Sequence, residues 1–142
     1  MTATIGTLDD TIQKTNAWLE ELARLGSFTD QNQAYTALRA VLHGLRDRMP
    51  VGEASDLASQ LPMLIRGFYY EGWKPALAPN KERSTEDFVN HVQQSLRSNT
   101  EVDPGHAVQA VLALLNGKIS EGQMAHLKQV LPEDVVERYW PS

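Results

Sequence analysis

The 142-residue sequence contains no cysteine. That excludes disulfides, thiolate zinc sites, iron–sulfur clusters and a thiol nucleophile, and it is compatible with a reducing compartment. A basic surplus is also missing: 13 Lys and Arg stand against 18 Asp and Glu, for a net charge of −5. Six basic residues face nine acidic ones in 1–72, and seven face nine in 73–142. Neither half carries the electrostatic footprint of a nucleic-acid binder, so no nucleic-acid partner is expected. No apolar run approaches the roughly 20 residues of a membrane helix. Met1 to Gly6 has neither the positive region nor the apolar stretch of a signal peptide. A soluble, cytoplasmic protein without a membrane partner is expected.

Signatures of chemistry are equally scarce. The chain has no Walker loop, no Gly-x-Gly-x-x-Gly and no Gly-x-Ser-x-Gly. Its four histidines, His43, His91, His106 and His126, form no i,i+3 or i,i+4 pair, and none follows a glutamate at Glu-x-x-His spacing. His43 with Asp47, and Asp87 with His91, are each i,i+4 and can share a helix face. Solvated polar faces account for them. No metal, no cofactor and no catalytic residue is implied.

What is present is helical spacing, usually introduced by a capping residue, with strand signals nearly absent. At this length roughly two thirds of the unfolded surface is buried on folding, enough for a core. Thr7 with Asp10 is a candidate cap for a first helix, with Leu8, Ile12, Trp18, Leu19, Leu22 and Leu25 on one stripe and Gly26 at its end. Asp30 with Gln33 opens a second, whose Tyr35, Leu38, Val41, Leu42, Leu45 and Met49 step by three and four toward Pro50. A short third helix turns Ala54, Leu57, Ala58 and Leu61 inward. A fourth, after Pro62, carries Leu64, Ile65, Phe68 and Tyr69. The longest irregular stretch follows, about 71–83. The pattern then restarts. Ser84 with Asp87 precedes Phe88, Val89, Val92 and Leu96. Asp103-Pro104 precedes Val108, Val111, Leu112 and Leu115, with Gly117 expected as a left-handed C-terminal glycine. Ser120 with Gln123 reads as a capping box before Met124, Leu127 and Leu131, and a last helix runs to about Tyr139.

A shift of 70 residues superimposes the two runs without a gap. Ala37, Ala40, Val41, Leu42 and Leu45 land on Ala107, Ala110, Val111, Leu112 and Leu115; Gly52, Leu57, Leu61 and Pro62 land on Gly122, Leu127, Leu131 and Pro132. Trp18 meets Phe88, Leu22 meets Val92, Leu38 meets Val108, Met49 meets Ile119, and Tyr69-Tyr70 meets Tyr139-Trp140. The expected fold is therefore all-α. It comprises two tandem homologous four-helix units, a first repeat over 1–72, a linker over 73–83 and a second repeat over 84–142. These pack as one pseudo-two-fold bundle, because a unit of four short helices is small to stand alone.

The stretch Ala37-Leu-Arg-Ala-Val-Leu-His-Gly-Leu-Arg-Asp-Arg-Met-Pro50, followed by Ala58-Ser-Gln-Leu-Pro-Met-Leu-Ile-Arg-Gly-Phe-Tyr-Tyr-Glu-Gly-Trp73, resembles a bacterial family catalogued as domain of unknown function two-two-six-seven. The likeness extends to Thr11-Ile-Gln-Lys-Thr-Asn-Ala-Trp18 and to Ile119-Ser-Glu-Gly122. It implies a small bacterial helical protein and carries no activity with it.

The candidate site is what the first half has and the second lacks. Arg66 to Trp73 holds four aromatics in six residues, Phe68, Tyr69, Tyr70 and Trp73. A Tyr and a Trp closing a short helix can plug the space between bundles, and Tyr139-Trp140 repeats that plug. Arg66 and Glu71, however, meet Val136 and Pro141, while Arg39 and Arg46 meet Gln109 and Asn116. Trp, Tyr and Arg are also the residues enriched at binding hot spots. Arg39, Arg46, Arg66, Tyr69, Tyr70, Glu71 and Trp73 are thus the expected binding residues of a non-catalytic module for a protein partner. Salt links from the arginines to Asp47, Glu53 or Glu71 are the plain structural alternative. Two further functions stay open: a small-ligand carrier or sensor with a pocket between the halves, lined by aromatics and Arg66, and an enzyme of unknown class.

Overall fold

A computed structural model describes residues 5–80, 84–96 and 101–141 of the chain. The last three positions of the expected linker and the first four of the expected first repeat lie outside them. Among the described residues every regular element is helical: α1 Gly6–Leu25, α2 Gln31–Arg48, α3 Val51–Ala58, α4 Met63–Tyr70, α5 Thr85–Leu96, α6 Pro104–Lys118, α7 Glu121–Val130 and α8 Glu133–Tyr139. A single 3-10 turn, Pro75–Leu77, interrupts the connection from α4 to α5. No described helix is long and apolar enough to cross a membrane.

Half of the helix starts follow from side-chain capping of orphan N–H groups. Asp30 accepts from Gln33 N, Ser84 from Asp87 N, Asp103 from His106 N and Ser120 from Gln123 N. Pro62 and Pro132 stand immediately before α4 and α8. Two expectations fail. Thr7 lies inside α1, which starts behind Ile5 without a side-chain cap. Gly117 lies inside α6, which runs on to Lys118 and ends at Ile119, because the apolar face continues past the glycine. The Ser120 box is also half made by a stranger: its backbone N–H donates to Gln60 at 2.7 Å rather than to Gln123.

The core is one cluster to which the helices on both sides of the α4–α5 connection contribute. Helix α2 lies at its centre, packed on α1, α4, α5 and α6. It is buried all round from Ala40 to Arg46, as a helix surrounded by others must be. The apolar pairs set 70 apart above are buried on both sides, from Trp18 and Phe88 to Leu61 and Leu131, apart from Tyr139 and the Tyr70 and Trp140 pair, which are only half-buried; Pro62 and Pro132 are also half-buried, and Gly52 and Gly122 are both exposed. Helices α3 and α7 start at 51 and 121, and α4 and α8 at 63 and 133. Gly44 sets the approach of α2 to α5. A Cβ there would lie 3.2 Å from Val92 and 3.3 Å from Phe88, so a larger residue would hold the helices apart.

Some residues of the expected stripes point outward. Leu8 and Ile12 of α1 are 42% and 43% exposed, and Leu64 of α4 is 43% exposed. Leu25 and Tyr35 are exposed as well. In α1, α2 and α4 the apolar stripe is wider than the surface the neighbouring helices cover.

Candidate functional site

The residues singled out by sequence gather around α4. A helix C-terminus leaves carbonyls without intrahelical partners. Here two residues of α2, three apart and therefore on one face, supply them. His43 Nε2 donates to Phe68 O at 2.6 Å. Arg46 Nη1 donates to Tyr69 O at 2.7 Å and to Glu71 O at 2.8 Å, while its Nε donates to Asp47 at 2.8 Å. Burial is the main force on His43, and it holds the imidazole neutral, with its pKa lowered to about 4. The Tyr69 hydroxyl donates to Ala54 O at 2.7 Å, and burial pushes its pKa upward. Past α4 the chain turns at Gly72, whose φ of +71° is glycine territory.

The seven expected site residues divide into four sets. Arg46 and Tyr69 are buried and fasten α4 from behind; the plug reading anticipates this for Tyr69, while nothing in the sequence reveals it for Arg46. Arg66 reaches toward the start of α4, where its guanidinium donates to Ala58 O and Leu61 O at 2.9 Å each. It thereby caps α3 and lines a groove of about 490 Å³ with Asp10, Lys14 and Trp18 of α1. It does not join the other arginines in one basic stripe. Arg39 pairs with Glu71 at 3.3 Å, an exposed pair of small energetic weight. Tyr70 and Trp73 are half-buried, their rings 5.3 Å apart. The Trp73 indole N–H is shielded from water and has no hydrogen-bond partner.

The outer side of α4 is apolar. Met63 is 46% exposed. Leu64 and Phe68 follow one another at i,i+4, and Tyr35 of α2 meets Phe68 edge-on at 5.1 Å. On the other flank Leu64 N donates to Thr11 Oγ1 at 3.1 Å, which joins α4 to α1, the helix that carries the exposed Leu8 and Ile12. Sequence reading missed this strip because each member fitted an inward stripe. The 70-residue shift held the signal: Met63, Leu64 and Phe68 meet Glu133, Asp134 and Arg138, and Tyr35 meets Gly105.

A second constellation lies between α2, α5 and the segment 72–80. Three residues beyond the Gly44–Phe88 approach, His91 Nε2 stands 3.2 Å from Asp47 Oδ2. Neither i,i+4 pairing of these residues is made; His91 takes Asp47 from another helix. Burial opposes the charge on Asp47, but hydrogen bonds from His91 and Arg46 outweigh it and hold the carboxyl below its ordinary pKa. Asn80 N donates to Asp47 O at 2.7 Å. These groups wall a cavity of about 220 Å³. Among the described residues no three His, Asp or Glu side chains form a group able to hold a metal ion.

Fold and site together describe an all-helical protein with buried polar groups fastening one short helix, whose outer face is left apolar. Residues 15–137 match the model of the family described as "Uncharacterized conserved protein (DUF2267)", and the chain belongs to that family. No curated protein matches the sequence.

Proposed function

We propose that this protein is a pair of tandem helical repeats related by a pseudo-two-fold, and that the first repeat serves as a non-catalytic docking module for a protein partner in the bacterial cytoplasm. The repeat rests on the 70-residue register of sequence, helix starts and buried positions. The docking role rests on one observation: α4 and α8 share a buried position, Ile65 with Val135, yet Met63, Leu64 and Phe68 of α4 stand where α8 has Glu133, Asp134 and Arg138. A lone exposed leucine is ordinary on a protein surface. A strip running from Leu8 and Ile12 through Leu64 and Phe68 to Tyr35 is the kind of patch that marks an interaction site. Arg39, Glu71, Tyr70 and Trp73 form its rim, Arg46 and Tyr69 hold α4 in place beneath it, and the exposed Arg66 ties α4 to the end of α3.

The partner this surface suits presents an apolar ridge with polar flanks, as an amphipathic helix does. A photo-crosslinking residue placed at Leu64 should capture one discrete protein in the native host, and the same residue at Asp134 should not. Adding Phe68→Arg should abolish the capture. No adduct at position 64, or the same adducts at both positions, would overturn the docking role.

A further inference from the structure

We infer that the outer face of α4 docks on the same face of a second copy of this chain, the two helices lying antiparallel with Leu64 of each seated over Gly67 of the other. This names the partner of the docking surface proposed above and rests on that reading. A glycine without an internal reason carries it. Of the nine glycines, only Gly44 and Gly67 stand more than one residue inside a helix, where glycine is the least favourable residue after proline. Gly44 is explained, since a Cβ there would press on Val92 and Phe88 of α5. Gly67 is exposed, its φ is not positive, and a Cβ there would meet nothing within 4 Å. It leaves on α4 the close approach that Gly44 gives to α5, for a helix from outside the chain.

The register follows from spacing. Residues three and four apart are neighbours on a helix surface, so Gly67 shares the outer side of α4 with Met63 and Leu64, and Phe68 borders it. In a two-fold contact residue i meets j and j meets i. An antiparallel pair of α4 helices that sets Leu64 over Gly67 therefore does so twice, and it sets Met63 against Phe68 twice, a thioether on a ring. Charge favours this face for a second copy. None of the four residues is charged, and Glu71 at the edge already has Arg39 at 3.3 Å. Two chains of net charge −5 meet most readily where neither presents surplus charge. The same register on α8 would set Asp134 on Glu137, carboxylate on carboxylate. An eight-residue helix offers a small interface, so the dimer is weak and reversible.

The test is sedimentation equilibrium of the whole purified chain. A monomer–dimer equilibrium with a Kd of about 10–500 μM is expected. Gly67→Ala should raise the urea midpoint of the dilute monomer, because alanine is the better helix former, and yet weaken the dimer about tenfold by filling the contact. Leu64→Lys and Gly67→Glu should each leave the chain monomeric. An equimolar mixture of those two variants should dimerise, because the new ammonium of one copy faces the new carboxylate of the other, while the unchanged Leu64 and Gly67 still meet across the axis. A chain that stays monomeric at millimolar concentration overturns the inference; a host adduct at position 64 to a different protein would then leave the docking role standing, and no adduct would remove both. A dimer indifferent to Gly67→Ala, or a mixture that associates no better than either variant alone, overturns the α4 contact as well.

Discussion

Helices α4 and α8 begin 70 residues apart behind equivalent prolines, and they differ in what holds them as well as in what they expose. The C-terminal carbonyls of α4 are held by His43 and Arg46. The corresponding positions on α6 are Ala113 and Asn116, and Asn116 is exposed. Tyr69 is fully buried on Ala54, whereas Tyr139 is only half-buried. It lies against Gly105, where an added Cβ would come within 2.6 Å of its hydroxyl. So the helix with the apolar exterior is also the one anchored by buried polar groups. On the proposed docking role, a helix held from within keeps its outer surface presented, since the solvent side contributes no packing. The charged exterior of α8 calls for no such anchoring.

The comparison can be broken at several points. The largest effect is expected from Arg46→Ala, which leaves Asp47 and two carbonyls without their buried partner. It should cost about 3 kcal/mol or more, against about 0.5 kcal/mol or less for Asn116→Ala. Urea unfolding of the two variants decides, and equal costs would remove the asymmetry. Acid comes next. His43 titrates near 6.5 when unfolded and at about 4 when folded. Between those values the unfolded chain binds a proton that the folded one does not, so stability is full above pH 6.5 and falls as the pH drops toward 4. The loss should be on the order of 3 kcal/mol, and His43→Gln should flatten it in a series of urea midpoints against pH. Asp47, held below its ordinary value, adds a further loss at still lower pH. A smaller cost, about 1 kcal/mol, is expected for Tyr69→Phe, which strands Ala54 O. Tyr139→Phe should cost less in the same urea unfolding. The smallest change in stability, within about 0.5 kcal/mol, should come from Leu64→Asp, which gives α4 the residue found at the matching place in α8. A large loss there would mean that Leu64 supports the fold rather than a partner.

Much of this was legible before any coordinates. The three-and-four spacing in α2 and α6 marked the two most buried helices, because a helical face must repeat at that interval to stay inside. Asp30, Ser84, Asp103 and Ser120 announced their helices through a local hydrogen bond that needs only neighbouring residues. Thr7 carried the same pattern and does not cap, since nothing in a short motif says how far a helix extends before it. The site was legible by location and not by role. The arginines and aromatics of the first half were identifiable as surplus to the repeat, but their spacing could not distinguish Arg39 at the surface from Arg46 turned inward. The pairing of Asp47 with His91 left no trace, because the two are 44 positions apart and meet only where Gly44 lets α2 and α5 close.

The sequence by itself determined the helical class, the 70-residue periodicity, most helix ends and the residues that make the core, because each depends on short-range hydrogen bonding or on the period of a single helix. Tertiary structure alone decided which side of each apolar stripe is covered. Leu8, Ile12, Tyr35 and Leu64 belong to inward patterns and lie outside, because burial depends on the neighbour that arrives and not on the helix that waits for it. It also decided that Arg46 and His43 close the end of α4, and that Asp47 and His91 share a cavity wall. Those contacts join helices far apart in the chain, and only packing brings them within reach.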